Sequence, residues 1–394
     1  MKQLSQVSRR DKSFPPSAWG LDDDDFVAGA PRLSEFQTPL LTLDESAMAH
    51  NVRTVSTWIA ERGLLLAPHG KTTMAPVLWR QLLDAGSWGL TLATAWQAQV
   101  ARGEGVQRIL LASEVVDPVA LAWVTSELED PDFTFACWVD SVQAVEAMRA
   151  ALSGLTLARP LSVLIELGGN GGRAGARTVN AAIEVARAVE AAPELELAGV
   201  AGWEGALAHD RAAASVDGVR LLLDDMIIVA DSIDWADRPI ISAGGSAFFD
   251  LVADALAPLR ERADVVLRPG AFQVHDDGFY AATSPLRTLL RSAMHGWSRV
   301  LSVPDERTAI IDGGRRDFPH DEGMPTCRAG AVSRINDQHA FLALEDGAEV
   351  QVGEVLRLGL SHPCTAFDKW RCIPVVADAM AEDPVVVSLV RTLF

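Results

Sequence analysis

Lys71 closes the run Leu64-Leu65-Leu66-Ala67-Pro68-His69-Gly70-Lys71-Thr72, so a lone amine stands at the tip of an apolar stretch. Stripping water from an ammonium is expensive unless the group is paired or neutralised. One way out is to hold the amine neutral, or to consume it as a Schiff base with a carbonyl cofactor. The other is to let the side chain snorkel into solvent. A second group is Ser242-Ala243-Gly244-Gly245-Ser246, which follows a strand-like run and precedes a helical one from Ala247. Exposed backbone N–H groups at a helix start, with no Cβ in the way, cradle a phosphate, although a plain tight turn has the same composition. The third is His362-Pro363-Cys364. On an extended segment its imidazole and thiolate point the same way, and the two suit zinc. Two protein ligands would leave open positions for water or substrate, as a catalytic zinc requires. The bland alternative is a buried cysteine beside a histidine that only hydrogen-bonds.

The elements that must position these groups follow a rhythm of strand and helix. Strands are expected at Leu64–Ala67, Gly89–Thr94, Arg108–Ser113, Thr134–Asp140, Leu161–Leu167, Leu195–Trp203, Pro239–Ala243 and Asp264–Arg268. Between them lie helical faces such as Val219, Leu222, Leu223, Met226, Ile227 and Ala230. Asp44 is placed to cap a first helix carrying Met48, Val52, Val55 and Ile59, and Gly86 to end the helix after Lys71. About eight such units predict a (β/α)8 TIM-type barrel; an open doubly wound sheet usually has fewer. Barrel chemistry sits where strands end. Those ends here carry Lys71, Thr94, Ser113, Asp140, the loop Gly168-Gly169-Asn170-Gly171-Gly172-Arg173, Trp203-Glu204-Gly205, Ser242 to Ser246, and Arg268-Pro269-Gly270.

After about residue 275 the rhythm changes. Short apolar stretches, Thr308–Ile311, Ala340–Leu344 and Val355–Leu358, alternate with Asp, Asn, Gly and Pro, the pattern of a mainly antiparallel β domain. The domain reading is therefore residues 39–275 as the barrel, with 1–38 and 276–394 as the β domain, and Thr38–Leu43 as a strand before the barrel. The 34 Lys+Arg against 53 Asp+Glu give a net charge of −19, which argues against nucleic acid as a partner. No segment is apolar enough to span a bilayer, and Met1 to Gly20 lacks the apolar core of a signal peptide. Cys137, Cys327, Cys364 and Cys372 show no disulfide-scaffold spacing, so a cytoplasmic location is expected.

Pro68-His69-Gly70-Lys71-Thr72, Arg173, Gly202-Trp203-Glu204-Gly205, Gly244-Gly245, Arg268-Pro269-Gly270 and Ser361-His362-Pro363-Cys364 occur in the order seen in one family. The chain resembles the fold-type III pyridoxal-phosphate enzymes, in the branch of D-serine dehydratase (D-serine deaminase-like proteins) and D-threonine aldolase, from about Thr38 to about Val376. The resemblance implies an alanine racemase-like barrel, a homodimer, and pyridoxal 5'-phosphate with zinc or another divalent metal as cofactors. Lys71 would then form the Schiff base and, once freed, act as the base at Cα. His69, Arg173, Trp203, Ser242, Gly244, Gly245 and Ser246 would line the cofactor, the last three holding its phosphate. His362 and Cys364 would bind the metal.

Pyridoxal phosphate stabilises the carbanion left when Cα loses its proton, and a metal near Cβ makes a β-hydroxyl a better leaving group. The reading favoured by the resemblance is elimination from D-serine, or a related β-hydroxy-D-amino acid, to a 2-oxo acid and ammonia. Retro-aldol cleavage, as in D-threonine aldolase, uses nearly the same parts; a cysteine as second ligand resembles the dehydratases, an aspartate the aldolases. Position 203 is Trp where the family usually carries Tyr, and indole cannot serve as a proton-transfer acid, so racemisation ranks third. A non-catalytic cofactor-holding protein and a sugar-phosphate barrel enzyme are the readings from other classes. Arg315-Arg316 reads either as a contact for a substrate carboxylate or as solvated surface, and His275-Asp276 either as a supporting pair behind the site or as an ordinary turn.

Overall fold

In the computed structural model, residues 6–394 are described; the expectation that residues 1–5 join the β domain lies outside them. Eight parallel strands follow a first strand β1 (Leu40–Asp44): β2 (Leu65–Leu66), β3 (Leu90–Leu92), β4 (Arg108–Glu114), β5 (Thr134–Val139), β6 (Leu161–Leu167), β7 (Leu195–Gly202), β8 (Ile240–Ala243) and β9 (Asp264–Leu267). They are ordered β2-β9-β8-β7-β6-β5-β4-β3. The remaining seam, between β2 and β3, is made by Trp88 N–H to Leu66 O at 2.7 Å, Thr91 N–H to Pro68 O at 2.9 Å and a parallel bridge from His69 to Thr91. The expected (β/α)8 barrel is therefore present, and each of the eight expected strands is found within a few residues. Its interior alternates along the strands, as a pleat requires: Leu110 and Ala112, Ala136 and Trp138, with Ala67, Leu164, Ala201 and Val266, form one cluster.

Helices begin and end where side chains or glycine satisfy their terminal groups. Asp44 Oδ1 accepts from Ala47 N–H at 2.8 Å at the head of helix Glu45–Ala60, and Thr94, Asp117, Ser141 and Thr178 cap four others in the same way. Helix Pro76–Asp84 stops at Gly86, whose φ of +92° is the left-handed stop that glycine adopts without a Cβ penalty.

The second sheet has nine strands and is mainly antiparallel. β1 enters it, pairing with β10 (Met294–Asp305) and, in parallel, with β16 (Cys372–Val376). Also present are β11 (Thr308–Asp312), β12 (Thr326–Cys327), β13 (Gly330–Ile335), β14 (His339–Leu344), β15 (Val355–Gly359) and β17 (Val386–Arg391). Phe14, Phe26 and Phe36 pack against one another, Phe36 edge to face with the other two, and join its core. By internal contacts, Val55–Lys71 and Trp79–Gly270 form the barrel unit. The sheet unit takes in the chain up to Thr54, Thr72–Leu78 and Ala271–Phe394, so the barrel unit is narrower than residues 39–275.

Candidate active site

The lysine lies just past β2, in a 3-10 turn over Gly70–Thr72. That turn is fixed from the barrel side: Trp79 Nε1–H donates to Gly70 O at 3.0 Å, and Thr91 Oγ1–H to Ala67 O at 2.7 Å. A Cβ on Gly70 would fall 2.9 Å from both Leu90 Cδ2 and Trp79 Nε1, so only glycine fits. Lys71 is half-buried, and Leu64–Ala67 yields a strand of only two residues because the turn begins so soon.

Positive charge converges beside it. His69 is held well below the usual imidazole range, first by burial and then by Lys71, Arg268 and Arg173. Arg268, at the end of β9, is buried; its Nη2 donates to Gly202 O at 2.6 Å and its guanidinium lies 5.4 Å from the Trp138 ring. Arg173 lies over the Trp203 ring at 4.5 Å, a cation–π contact that indole serves at least as well as phenol. The loop carrying Arg173 is knitted by Arg177, whose guanidinium donates to the carbonyls of Gly169, Gly172, Arg173 and Ala174. Two acids face this cluster. Glu166 on β6, 3 % exposed, is hydrogen-bonded to Glu114 on β4, and burial followed by that neighbour pushes its carboxyl up to about 8. One oxygen of each carboxyl is buried without a hydrogen-bond partner.

The Gly244-Gly245-Ser246 turn departs from expectation. Its N–H groups are not exposed: Gly244 N–H donates to Glu204 Oε2 at 3.2 Å and Gly245 N–H to Glu204 Oε1, and Glu204 is fully buried. A carboxylate thus occupies two donors of the expected cradle, for the reason a phosphate would. Ser246 Oγ accepts from Gly270 N–H at 3.1 Å. Ser242 is fully buried, its hydroxyl donating to Val266 O at 2.9 Å, so it fastens β8 to β9. What does fit a polar, anionic, planar ligand is the cationic wall. Among the described residues His69 Nδ1 and Arg268 Nε are buried without a hydrogen-bond partner, and such atoms are costly unless something bonds them.

In the sheet unit, His362 and Cys364 are brought together, but not on an extended segment. His362 is left-handed (φ 56°, ψ 85°) and caps a 3-10 turn over Pro363–Thr365. Proline at the first turn position stops the strand-like run that the spacing suggested. His362 Nδ1 meets Asp321 Oδ2 at 2.6 Å, and its ring is hydrogen-bonded to Cys364. Burial alone would lower this imidazole; Cys364 and Asp321 outweigh it and raise it to about 9. Thr72 Oγ1, next in the chain after Lys71, lies 3.2 Å from Cys364 Sγ. A soft thiolate and an imidazole are a zinc-type donor pair. Among the described residues no cluster of three or more His, Cys, Asp or Glu could hold a metal ion.

Sequence reasoning missed Arg177, Glu114, Glu166, the role of Glu204, and Asp321. Only Glu204 lay in a motif already marked. His275 (φ 41°) is buried and lowered to about 4 by that burial, while Asp276 accepts from the N–H groups of Gly278, Tyr280, Ala281 and His362. Arg315 Nε donates to Ile335 O and Arg316 pairs with Asp337, both within the sheet unit.

Comparison with known proteins agrees with this fold. The family of alanine racemase N-terminal domains matches residues 43–251, and a domain family described for serine dehydratases matches residues 293–376. Among curated proteins, D-threonine aldolase of Arthrobacter sp is 25 % identical over 389 residues, covering 96 % of this chain and 97 % of that one. Among solved structures, D-threonine aldolase from Filomicrobium marinum superposes with a TM-score of 0.78 at 22 % identity, covering 92 % and 96 % of the two chains. A cysteine-to-alanine variant of D-threo-3-hydroxyaspartate dehydratase in the metal-free form gives 0.74 at 20 % identity, covering 92 % and 99 %. No helix among the described residues is long and apolar enough to cross a membrane.

Proposed function

Because this chain belongs to the fold-type III pyridoxal-phosphate enzymes of the D-threonine aldolase and D-threo-3-hydroxyaspartate dehydratase family, we propose that it eliminates the β-hydroxyl of a β-hydroxy-D-amino acid. D-serine is the foremost substrate, and the products are a 2-oxo acid and ammonia. The cofactors are pyridoxal 5'-phosphate and a divalent metal, zinc by its donor pair. Bound pyridoxal phosphate supplies an electron sink for the pair left at Cα.

Lys71 is the attachment point and the base that takes the Cα proton. His69, kept neutral by burial and by cationic neighbours, offers the ring an acceptor rather than another charge. Arg268 and Arg173 supply the positive charge that a phosphate or carboxylate needs. Ser246 and the Gly244-Gly245 turn remain the proposed phosphate holders, although in this structure the Gly244 and Gly245 N–H groups are taken by Glu204. Trp203 holds Arg173 through its ring. His362 and Cys364 would hold the metal, which would supply Lewis-acid chemistry for a β-hydroxyl. A homodimer is part of this reading.

The cysteine carries elimination over retro-aldol cleavage. Solved variants of D-threo-3-hydroxyaspartate dehydratase replace a histidine and a cysteine that are two residues apart, the spacing of His362 and Cys364 here. Retro-aldol cleavage is the second reading, supported by the full-length similarity to D-threonine aldolase. Products from D-threonine decide between them. 2-Oxobutyrate and ammonia are expected; glycine and acetaldehyde as the main products would make the protein an aldolase.

A further inference from the structure

His362 holds a backbone conformation that residues other than glycine seldom adopt (φ 56°, ψ 85°). Strain of this kind persists only where surrounding contacts over-determine it, and two aspartates do so here. Asp276, 1 % exposed, takes the His362 N–H on Oδ2 at 2.8 Å, while its Oδ1 accepts from Gly278, Tyr280 and Ala281. Asp321 acts on the side chain: its Oδ2 lies 2.6 Å from His362 Nδ1, and its Oδ1 accepts from Thr365 Oγ1–H at 2.7 Å. The segment bearing Asp321 is tied back by Ser361 Oγ–H to Glu322 O at 2.6 Å. The carboxylate is therefore aimed, held by a residue on the far side of the same turn, rather than swinging in solvent.

We propose that Asp321 is a positioning residue for the metal pair, fixing the His362 ring with Nδ1 as the donor so that Nε2 keeps its lone pair for the ion. A ligating imidazole donates its other nitrogen to a carboxylate in many metal sites, which sets both tautomer and ring orientation and raises the basicity of the ligating nitrogen. Carboxylate is the one acceptor that also favours the partial positive charge an imidazole acquires when it binds a cation. Thr365 completes the device by occupying the oxygen that does not face the ring. The inference rests on His362 and Cys364 being metal ligands, as proposed above.

The test is zinc affinity of the full chain, loaded with pyridoxal phosphate, by competition with a chromophoric chelator. Asp321→Ala is expected to bind zinc about 10–100-fold more weakly than the parent. Asp321→Asn, whose carbonyl still accepts from Nδ1–H, should fall between the two. Excess zinc should restore turnover to Asp321→Ala but not to His362→Ala, a rescue that a merely structural role for Asp321 would not give. Affinity unchanged within twofold in Asp321→Ala, on a parent that binds zinc, would overturn the positioning role and leave the metal site standing. A parent that binds no zinc would overturn both.

Discussion

At the barrel mouth buried polar atoms of His69 and Arg268 stand without a partner among the described residues, whereas at the His362 turn the backbone is strained and the histidine is tied down. His69 and Lys71 lie just past β2, Lys71 in a 3-10 turn, Arg268 follows β9, and His69 Nδ1 and Arg268 Nε have no partner among the described residues. His362 has a positive φ, yet Asp276 and Asp321 bind its N–H and its ring. Orphaned donors and acceptors suit a large organic group that brings its own hydrogen-bonding atoms. A fixed, strained ligand suits an ion, which needs geometry more than it needs contacts.

This contrast separates the effects of substitution. The largest loss is expected at Lys71. Lys71→Ala should lower kcat by about 10³-fold or more, the scale of a removed general base, and abolish the visible band of the bound cofactor. Steady-state kinetics and an absorption spectrum of the purified variant check both. Next come His362→Ala and Cys364→Ser, each expected to reduce keto-acid release from D-serine by about 10²-fold, the equivalent of a few kcal/mol of Lewis-acid stabilisation, with the visible band intact. A variant of either residue that lost the cofactor would erase the distinction between the two regions.

A smaller effect, read on stability, is expected from the carboxyl pair. Burial and Glu114 raise Glu166 from 4.5 to about 8 in the folded chain. The folded state therefore holds this proton more tightly than the unfolded one. Its contribution to stability is fully present below pH 4.5 and is lost as pH rises through about 8. Glu166→Gln should remove that component, so that melting temperature falls less steeply between pH 5 and pH 8 than in the parent, by a few degrees in a chain of this size. Parallel melting curves for the two proteins across the window would show instead that Glu166 is ionised in the fold.

The smallest, about 1–3 kcal/mol, is expected of Gly70→Ala, whose Cβ would press on Leu90 and Trp79. Chemical denaturation measures it.

Much of the barrel could be read because apolar strands and amphipathic helices alternate with clear caps; Asp44 and Gly86 do in the fold what their types suggest. Lys71 was legible for the same reason, since a lone amine at the tip of an apolar run is conspicuous. Glu114 and Glu166 were not, because an acid at the end of a strand reads as a solvated residue until the closed barrel places β4 two strands from β6, buries Glu166 and sets Glu114 against it. Nor could Gly244-Gly245 be read correctly. The composition specified a turn that binds an anion, but not that Glu204, forty residues earlier, would supply one. Asp321 stands 41 residues before His362, and no local pattern joins them. The His-x-Cys spacing suggested a shared direction along a strand; Pro363 and a left-handed His362 bring the pair together through a tight turn instead.

The most direct test of the account takes one sample of the unmodified protein through removal of its metal. Visible absorption and pyruvate release from D-serine are recorded before chelation, after it, and after zinc is returned. The division of labour between Lys71 and the His362–Cys364 pair predicts an unchanged visible band throughout, with pyruvate release lost on chelation and recovered with zinc. Full pyruvate release from metal-free protein would contradict it.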